Sequence, residues 1–169
     1  MTFWHLKTVK YVLLGGFLAL SSTVFAVQIT YFYDGDTVKI KDGSYEYKLR
    51  INDIDAPERN QTYGKKSRRA LMDFCADATI FVAISGTDKY NRRLGKLLCN
   101  QQDVSMHMVK NGHTWFYNRF SMDYSLALLQ DEARKNKLGL WAYEKPMAPW
   151  VWRKKSSMQK GATTNKFSL

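Results

Sequence analysis

The sequence has little cysteine, histidine or proline: two, three and three residues among 169. Cys75 and Cys99 have no pair of histidines near them, which argues against a structural zinc site. His107 and His113 lack a serine, a cysteine or a further histidine at a spacing that would pair a nucleophile with its base. The sequence also has no internal repeat. Zinc chemistry and nucleophile–histidine chemistry are therefore poor first hypotheses.

The N-terminal apolar run, Tyr11–Leu20, is too short to span a bilayer. Two lysines precede it, and the small residues of Ser21–Ala26 follow it, which is typical of a signal peptide over residues 1–26. The alternative is an uncleaved anchor, but the run is short and no cysteine stands at the cleavage point to carry a lipid. We therefore expect an exported protein, periplasmic or extracellular, that begins at Val27 or Gln28.

Acidic residues are few relative to basic ones, 15 against 26, so the formal net charge is +11. The first 26 residues contain two lysines and no acid, and without them the charge is +9. A domain this basic attracts polyanions, nucleic acid first and anionic lipid second. The alternative is a basic surface that only keeps the protein soluble. Charge thus indicates a partner and not a reaction.

Export affects the interpretation of the two cysteines. In an oxidising compartment an even pair of cysteines is a candidate disulfide. The alternative is two buried thiols, because cysteine also packs as a small apolar residue. The compartment favours a disulfide between Cys75 and Cys99.

Alternating or apolar segments separated by turn residues indicate five strands and about three helices. The predicted strands are Gln28–Tyr33, Thr37–Ile40, Tyr45–Ile54, Thr79–Ser85 and Leu94–Cys99. The predicted helices are Lys65–Ala76, Val104–Lys110 and about Ser125–Lys137. The period of two in the third strand places Arg50 on the polar face. This pattern predicts an α+β fold, predominantly β: a five-stranded barrel of the oligonucleotide-binding (OB) type.

The predicted domain covers residues 27–143, and the pattern changes after it. Residues 144–155 are rich in proline and tryptophan and are expected to form an extended arm. Residues 156–169 are polar, contain lysine and lack periodicity, so we expect a disordered basic tail.

Acidic and basic side chains suited to phosphodiester chemistry cluster in three short segments: Asp34–Thr37, Arg50–Glu58 and Asp88–Arg92. Carboxylate oxygens suit calcium or magnesium, and the arginine fork matches phosphate oxygens. A cation, an acid–base carboxylate and paired arginines are what hydrolysis of a phosphodiester requires. Each segment alone has a plainer interpretation, as a solvated turn, an exposed loop glutamate or surface arginines.

The order and spacing of these segments, with Leu138–Trp141 at the end of the last helix, resembles the thermonuclease (staphylococcal-nuclease-like) family over about residues 28–143. The resemblance implies that the carboxylates of Asp36 and Asp55 and the backbone carbonyl of Ala56 bind Ca²⁺. The family usually has threonine at the position of Ala56, but a backbone carbonyl does not depend on the side chain. Asp34 and Asp53 are then expected to support the turns rather than to bind the cation.

The resemblance also implies which residues act on the substrate. Glu58 matches the glutamate that orients or deprotonates the attacking water, and Arg50 and Arg92 match the two arginines that bind the phosphate. Arg93 is the neighbouring alternative, but the spacing Asp-Lys-Tyr-x-Arg selects Arg92.

Further contacts with a bound nucleotide are expected from Lys89, Tyr90 and Tyr117. Lys89 and Tyr90 match positions that contact a terminal phosphate in the family. Tyr117, or Trp115 close to it, can stack on a base. The alternative for these aromatic residues is a place in the core.

The resemblance implies a secreted, calcium-dependent enzyme that hydrolyses DNA and RNA with little sequence specificity and leaves 3′-phosphates. Single strands are expected to enter more easily than duplex, because an open barrel groove follows a backbone and stacks bases. We expect a monomer without stable membrane association after signal removal. The alternative is a non-catalytic protein that binds single-stranded nucleic acid, which the presence of all the carboxylates and arginines disfavours.

Overall fold

The computed structural model describes residues 26–119, 121 and 123–165. The predicted signal peptide, except for Ala26, lies outside the described residues. Within the described ranges, each helix is too short or too polar to cross a membrane.

A mixed sheet forms the centre of the fold. The strands in chain order are β1 (Gln28–Phe32), β2 (Thr37–Asp42), β3 (Tyr45–Ile51), β4 (Ile54–Asp55), β5 (Ile80–Thr87), β6 (Arg93–Cys99), β7 (Gln102–Asp103) and β8 (Trp115–Phe116). The main sheet has the order β1-β2-β3-β6-β5, with β7 beside β6, while β4 and β8 pair separately. Neighbours are antiparallel except β3 and β6, which run parallel.

The predicted α+β class and its five main strands are confirmed. In the described residues, β1 and β5 form the two ends of the strand order and do not pair with each other. Backbone pairing therefore leaves the sheet open, and closure into a barrel is not confirmed.

Alternation along β2 and β3 builds the core on one face of the sheet. Val38, Ile40, Leu49 and Ile51 are completely buried. Arg50 lies between two of them and so projects from the opposite face. The same alternation that fills the core thus presents a charged side chain to the site.

The described residues form four α-helices and one 3₁₀ turn. They are α1 (Gly64–Phe74), α2 (Val104–Lys110), α3 (Tyr124–Lys135), α4 (Pro149–Asn165) and the 3₁₀ turn Gly139–Ala142. The first three match the predicted helices. Asp103 caps α2 by accepting from the Met106 N–H at 3.1 Å, and Asp123 caps α3 by accepting from the Ser125 N–H at 3.0 Å.

Helix α4 replaces the extended arm and part of the disordered tail that the sequence predicts. Pro149 occupies the first helical position, where proline is favourable. The Ala148 carbonyl accepts from the Val151 and Trp152 N–H groups at 3.0 and 3.1 Å. Trp150 packs on the domain, with its ring centroid 5.5 Å from that of Trp115. Packing of one tryptophan and a favourable N-terminus therefore outweigh the polar composition.

The predicted disulfide is present. Cys75 follows α1 and Cys99 ends β6, and their Cα atoms are 5.3 Å apart across the bond. Both cysteines are buried, so the bond lies within the core rather than at its surface.

Candidate active site

The turn between β1 and β2 buries Asp36. The Asp34 carboxylate accepts from the N–H groups of Asp36 and Thr37 at 2.9 and 2.7 Å, so Asp34 holds the turn together. A Cβ on Gly35 would lie 2.0 Å from Ser67 Oγ in α1, so the turn needs glycine to approach that helix. Asp36 is 4% exposed, and its Oδ2 accepts from the Ala56 N–H at 2.6 Å. This bond joins the turn to the segment that carries Asp55, Ala56 and Glu58.

Arg50 connects the two predicted calcium ligands. Its Nε lies 3.2 Å from Asp36 Oδ1, and its Nη2 lies 3.2 Å from Asp55 Oδ1. The guanidinium also donates to the backbone carbonyls of Ile51 and Ile54, the latter at 2.7 Å. Only 11% of the side chain is exposed, so this cation is held at the wall of the site.

Asp55 and Glu58 are joined by a residue that the sequence did not predict for the site. Arg153 of α4 donates from Nη1 to Asp55 Oδ1 at 3.1 Å and from Nη2 to Asp55 Oδ2 at 2.7 Å. The same Nη1 donates to Glu58 Oε1 at 2.9 Å. Arg153 lies 98 residues from Asp55 along the chain, so no local pattern indicates this contact.

Negative charge is crowded beneath these arginines. Burial and the charge of Asp36 raise the pKa of Asp34 to about 8. Burial also raises the pKa of Asp55, although the hydrogen bond from Arg153 acts in the opposite direction. The carboxylates are therefore costly to keep ionised without cations nearby.

The donor set fits a hard divalent cation. Asp36 and Asp55 offer carboxylate oxygens of the kind that calcium prefers, and Asp55 with Glu58 already holds a cation, the Arg153 guanidinium. Among the described residues, no group of three or more His, Cys, Asp or Glu side chains is arranged to hold a metal ion. Two carboxylates and the Ala56 carbonyl would bind the cation without forming such a group.

Arg92 is the last residue of the β5–β6 connection and lies in a separate cluster. Its Nε and Nη2 are 2.8 and 2.7 Å from Asp88 Oδ2, and 29% of the side chain is exposed. Burial alone would raise the pKa of Asp88, but hydrogen bonds from Arg92 and Tyr90 lower it. Arg93 instead donates to Thr87 Oγ1 at 3.1 Å. The two candidate arginines thus have different partners in the structure, Asp88 for Arg92 and Thr87 for Arg93.

The parallel pairing of β3 and β6 brings the Arg92 loop towards Arg50. Leu49 pairs with Arg93 and Arg50 with Leu94, so Arg92 lies just before the paired segment. Arg92 nevertheless has its ion pair with Asp88 and not with the carboxylates around Arg50. The fold brings the two arginines to one side of the sheet without joining them.

Lys89 and Tyr90 extend from the Arg92 loop. The ammonium group of Lys89 lies 5.1 Å from the centroid of the Tyr90 ring, and the Arg92 guanidinium lies 5.6 Å from it. Tyr90 is 68% exposed. The loop therefore presents two cations and an exposed ring together.

The expected base-stacking residues lie beneath α4. Tyr117 follows β8, and its backbone N–H donates to the Asp53 carbonyl at 2.8 Å. Its ring is stacked on Trp150 with centroids 5.5 Å apart. Trp115 packs edge-on against Trp141 at 4.5 Å. In this structure the Tyr117 ring thus stacks on a ring of the protein itself.

An open groove begins at Glu58 and is mainly basic and aromatic. Its lining includes Arg59, Tyr63, Lys65, Lys66 and Tyr143. The Lys66 ammonium lies at similar distances from two of the rings, 6.0 Å from the Tyr63 centroid and 5.8 Å from that of Tyr143. Alternating cations and rings suit a strand of nucleic acid, which needs charge neutralised and bases stacked.

The fold and the site thus define an α+β protein with buried carboxylates, bridged by one arginine, beside a basic groove. A family model described as "Staphylococcal nuclease homologue" matches residues 48–143. The chain belongs to this family. Residues Asp34–Thr37 precede the matched range. In the structure, the hydrogen bond from the Ala56 N–H to Asp36 Oδ2 connects this turn to the matched range.

Relatives of the chain occur in bacteria and plants. An "Uncharacterized endonuclease" of Escherichia coli O157:H7 is 37% identical over 121 residues, which cover 71% of this chain and 79% of that protein. An "Uncharacterized endonuclease" of Haemophilus influenzae is 34% identical over 126 residues, 74% of this chain and 71% of that protein. "Staphylococcal-like nuclease CAN1" of Arabidopsis thaliana is 34% identical over 109 residues, 64% of this chain and 34% of that protein.

Proposed function

We propose that this chain is a calcium-dependent nuclease that hydrolyses phosphodiester bonds of DNA and RNA. The observation that carries the proposal is the Arg50 bridge, in which one buried guanidinium contacts both Asp36 and Asp55. Such a bridge fixes two hard-oxygen ligands beside a cation that can attract phosphate. The names of the bacterial and plant relatives, endonuclease and staphylococcal-like nuclease, support the nuclease part of this proposal.

In the proposed reaction, Glu58 orients the attacking water and accepts its proton. Water attacks phosphorus in line, the 5′ oxygen leaves, and the product carries a 3′-phosphate. Arg50 and Arg92 stabilise the transition state, which carries more negative charge than the bound substrate. When bound by Asp36, Asp55 and the Ala56 carbonyl, calcium would polarise a phosphoryl oxygen.

Substrate choice follows from contacts to the backbone rather than to base edges. Arginine-to-phosphate contacts carry no sequence information, so we propose low sequence specificity. Lys89 and Tyr90 bind a terminal phosphate, and the groove from Glu58 accepts a flexible single strand more easily than a duplex. We further propose that the protein acts as an exported monomer, in line with the signal pattern of residues 1–26.

One observation favours the alternative of a non-catalytic binding protein. Arg153 forms ion pairs with Asp55 and Glu58, the residues proposed to bind calcium and position water. If that contact were permanent, the basic surface would still bind single-stranded nucleic acid, but no bond would be cleaved.

Digestion of single-stranded DNA by the purified chain separates the two functions. We expect cleavage with calcium, none with excess chelator, and a large loss in Asp36→Asn and Glu58→Gln, measured by product length and end-group analysis. Cleavage at the full rate in excess chelator would contradict the cation assignment. Binding without cleavage in both conditions would favour the binding protein.

A further inference from the structure

Arg153 is the point at which α4 enters the candidate active site. Its guanidinium contacts both Oδ atoms of Asp55 and one Oε atom of Glu58, at 2.7 to 3.1 Å. Asp55 is 2% exposed, whereas 43% of the Arg153 side chain is exposed. A partly solvated arginine therefore covers a buried carboxylate.

Residues that precede Arg153, Met147 and Trp150, hold it beside Asp55 and Glu58. Gln61 Nε2 donates to the Met147 carbonyl at 2.6 Å, while Gln61 Oε1 accepts from the Glu58 N–H at 3.1 Å. On the other side, Trp150 stacks on Tyr117. The segment is thus fixed both to the Glu58 loop and to the strand pair beside Asp55.

A guanidinium and a divalent cation compete for the same lone pairs. Arg50 and Arg153 together occupy both lone pairs of Asp55 Oδ1, and Arg153 also occupies one of the two lone pairs of Oδ2. A cation that binds Asp55 through Oδ1, or through both oxygens, would therefore have to displace a guanidinium N–H. A divalent cation bound to Asp55 would also be repelled by the positive charge of the neighbouring guanidinium. Since the Arg153 side chain reaches solvent, it can withdraw without unfolding α4.

We propose that Arg153 determines how tightly this site binds a divalent cation, because its guanidinium occupies the oxygens of Asp55 and Glu58 and must withdraw before the cation binds. The inference rests on the proposed function for its calcium site. It adds a residue outside the family-matched range 48–143 to the determinants of cation binding. Arg153 acts here on the ligands and is a positioning residue, not a catalytic one.

Calorimetric titration of the purified protein with CaCl₂, without nucleic acid, tests the proposal. Arg153→Gln removes the competing cation, and we expect a dissociation constant lower by about tenfold, the ratio that corresponds to a charge-assisted hydrogen-bond pair. Arg153→Lys keeps the charge but loses the two-pronged geometry, so its affinity should lie between those of the parent and Arg153→Gln. Lys154→Gln is the matched control, because it removes one charge from the same exposed turn without touching a carboxylate.

The outcomes separate this inference from the proposed function. Equal calcium affinity in the parent and Arg153→Gln, or weaker binding in the variant, overturns the competition. So does an equal gain in Lys154→Gln, which would show a general charge effect. If the parent and every variant bind no calcium and cleave no DNA, the inference and the proposed function both fail. If the parent binds calcium and cleaves, but the variants do not differ, only the inference fails.

Discussion

At the scale of single residues, Asp55 is the acid on which two arginines meet. Arg50 approaches it from β3 within the sheet, and Arg153 approaches it from α4. The first side chain is almost buried and the second is substantially exposed. Arg50 is therefore part of the wall of the site, and Arg153 covers Asp55 from the solvent side.

The proposed role of Arg92 in stabilising the transition state is tested by comparison with the neighbouring Arg93. Arg92→Ala should lower the single-turnover rate about 10²- to 10³-fold, the usual loss when one preorganised donor to the transition state is removed. Arg93→Ala is the matched control, since Arg93 is exposed and bonds to Thr87 instead. The rate is measured on single-stranded DNA with saturating enzyme and calcium.

Two further measurements make this comparison decisive. The cleavage rate of Arg92→Lys and the unfolding midpoint of each variant report whether loss of the Asp88 ion pair merely disorders the loop. If Arg92→Ala is folded and cleaves at the parental rate, Arg92 does not bind the transferred phosphate. Arg93 would then be the next residue to test.

At the scale of elements, the ends of α2 and α3 interlock through glycines. The Leu140 N–H donates to the Gly112 carbonyl at 2.8 Å, so the 3₁₀ turn after α3 contacts the second residue after α2. Gly139 has a φ of 54°, and a Cβ there would lie 2.2 Å from the Gly112 carbonyl oxygen. This junction needs both the left-handed backbone and the missing side chain.

Gly139→Ala should therefore lower the free energy of unfolding by about 3 kcal/mol, the sum of left-handed strain and overpacking. Gly43→Ala has the same kind of φ but open space around it, so it should lose only about 1 kcal/mol. Gly86→Ala has neither and should be close to neutral. Urea unfolding measures all three, and an equal loss in Gly139→Ala and Gly43→Ala would rule out the backbone contact.

The elements that local patterns encode were predictable, and those that depend on distant contacts were not. The period of two along β3 and the helical spacing of α1 and α3 follow from burial of one face. Helix α4 has no comparable apolar stripe in its sequence, and its early residues are ordered by contact of Trp150 with Trp115 and Tyr117. Proline at its first position was the one local signal for this helix.

The same distinction holds for the site. Asp36, Arg50 and Asp55 were predicted together, and the structure places them in one ion-pair network. Arg153 was missed because its partner is 98 residues away and the arginine has no motif of its own. Arg92 was predicted to bind the same phosphate as Arg50, but its pairing with Asp88 depends on the shape of its own loop.

At the scale of the whole molecule, the disulfide and the proposed export can be tested together. We expect the exported protein to lack residues 1–26 and to show no free thiol when unfolded without reductant. The double variant Cys75→Ser with Cys99→Ser should lose about 3 kcal/mol of unfolding free energy through loop entropy. Intact mass, thiol labelling and urea unfolding provide the three measurements.

The reduced parent protein is the control for the thiol labelling and for the urea unfolding. It should accept two labels and unfold at the same urea concentration as the double serine variant. Labelling of both cysteines in the unreduced, unfolded protein would contradict the disulfide, whereas a retained N-terminal segment would contradict only the signal peptide.

The position of the disulfide also determines what a protease can do to this chain. The bond joins residues 75 and 99, and the exposed tip that holds Lys89, Tyr90 and Asn91 lies inside the loop it closes. A single cut at that tip would leave one covalent molecule, with β5 and β6 still paired from Ile80–Cys99 to Thr87–Arg93. The clipped chain would separate into two pieces only after reduction and denaturation. If the chain is exported as proposed, an extracellular protease could thus cut beside Arg92 and both fragments would still stay in place.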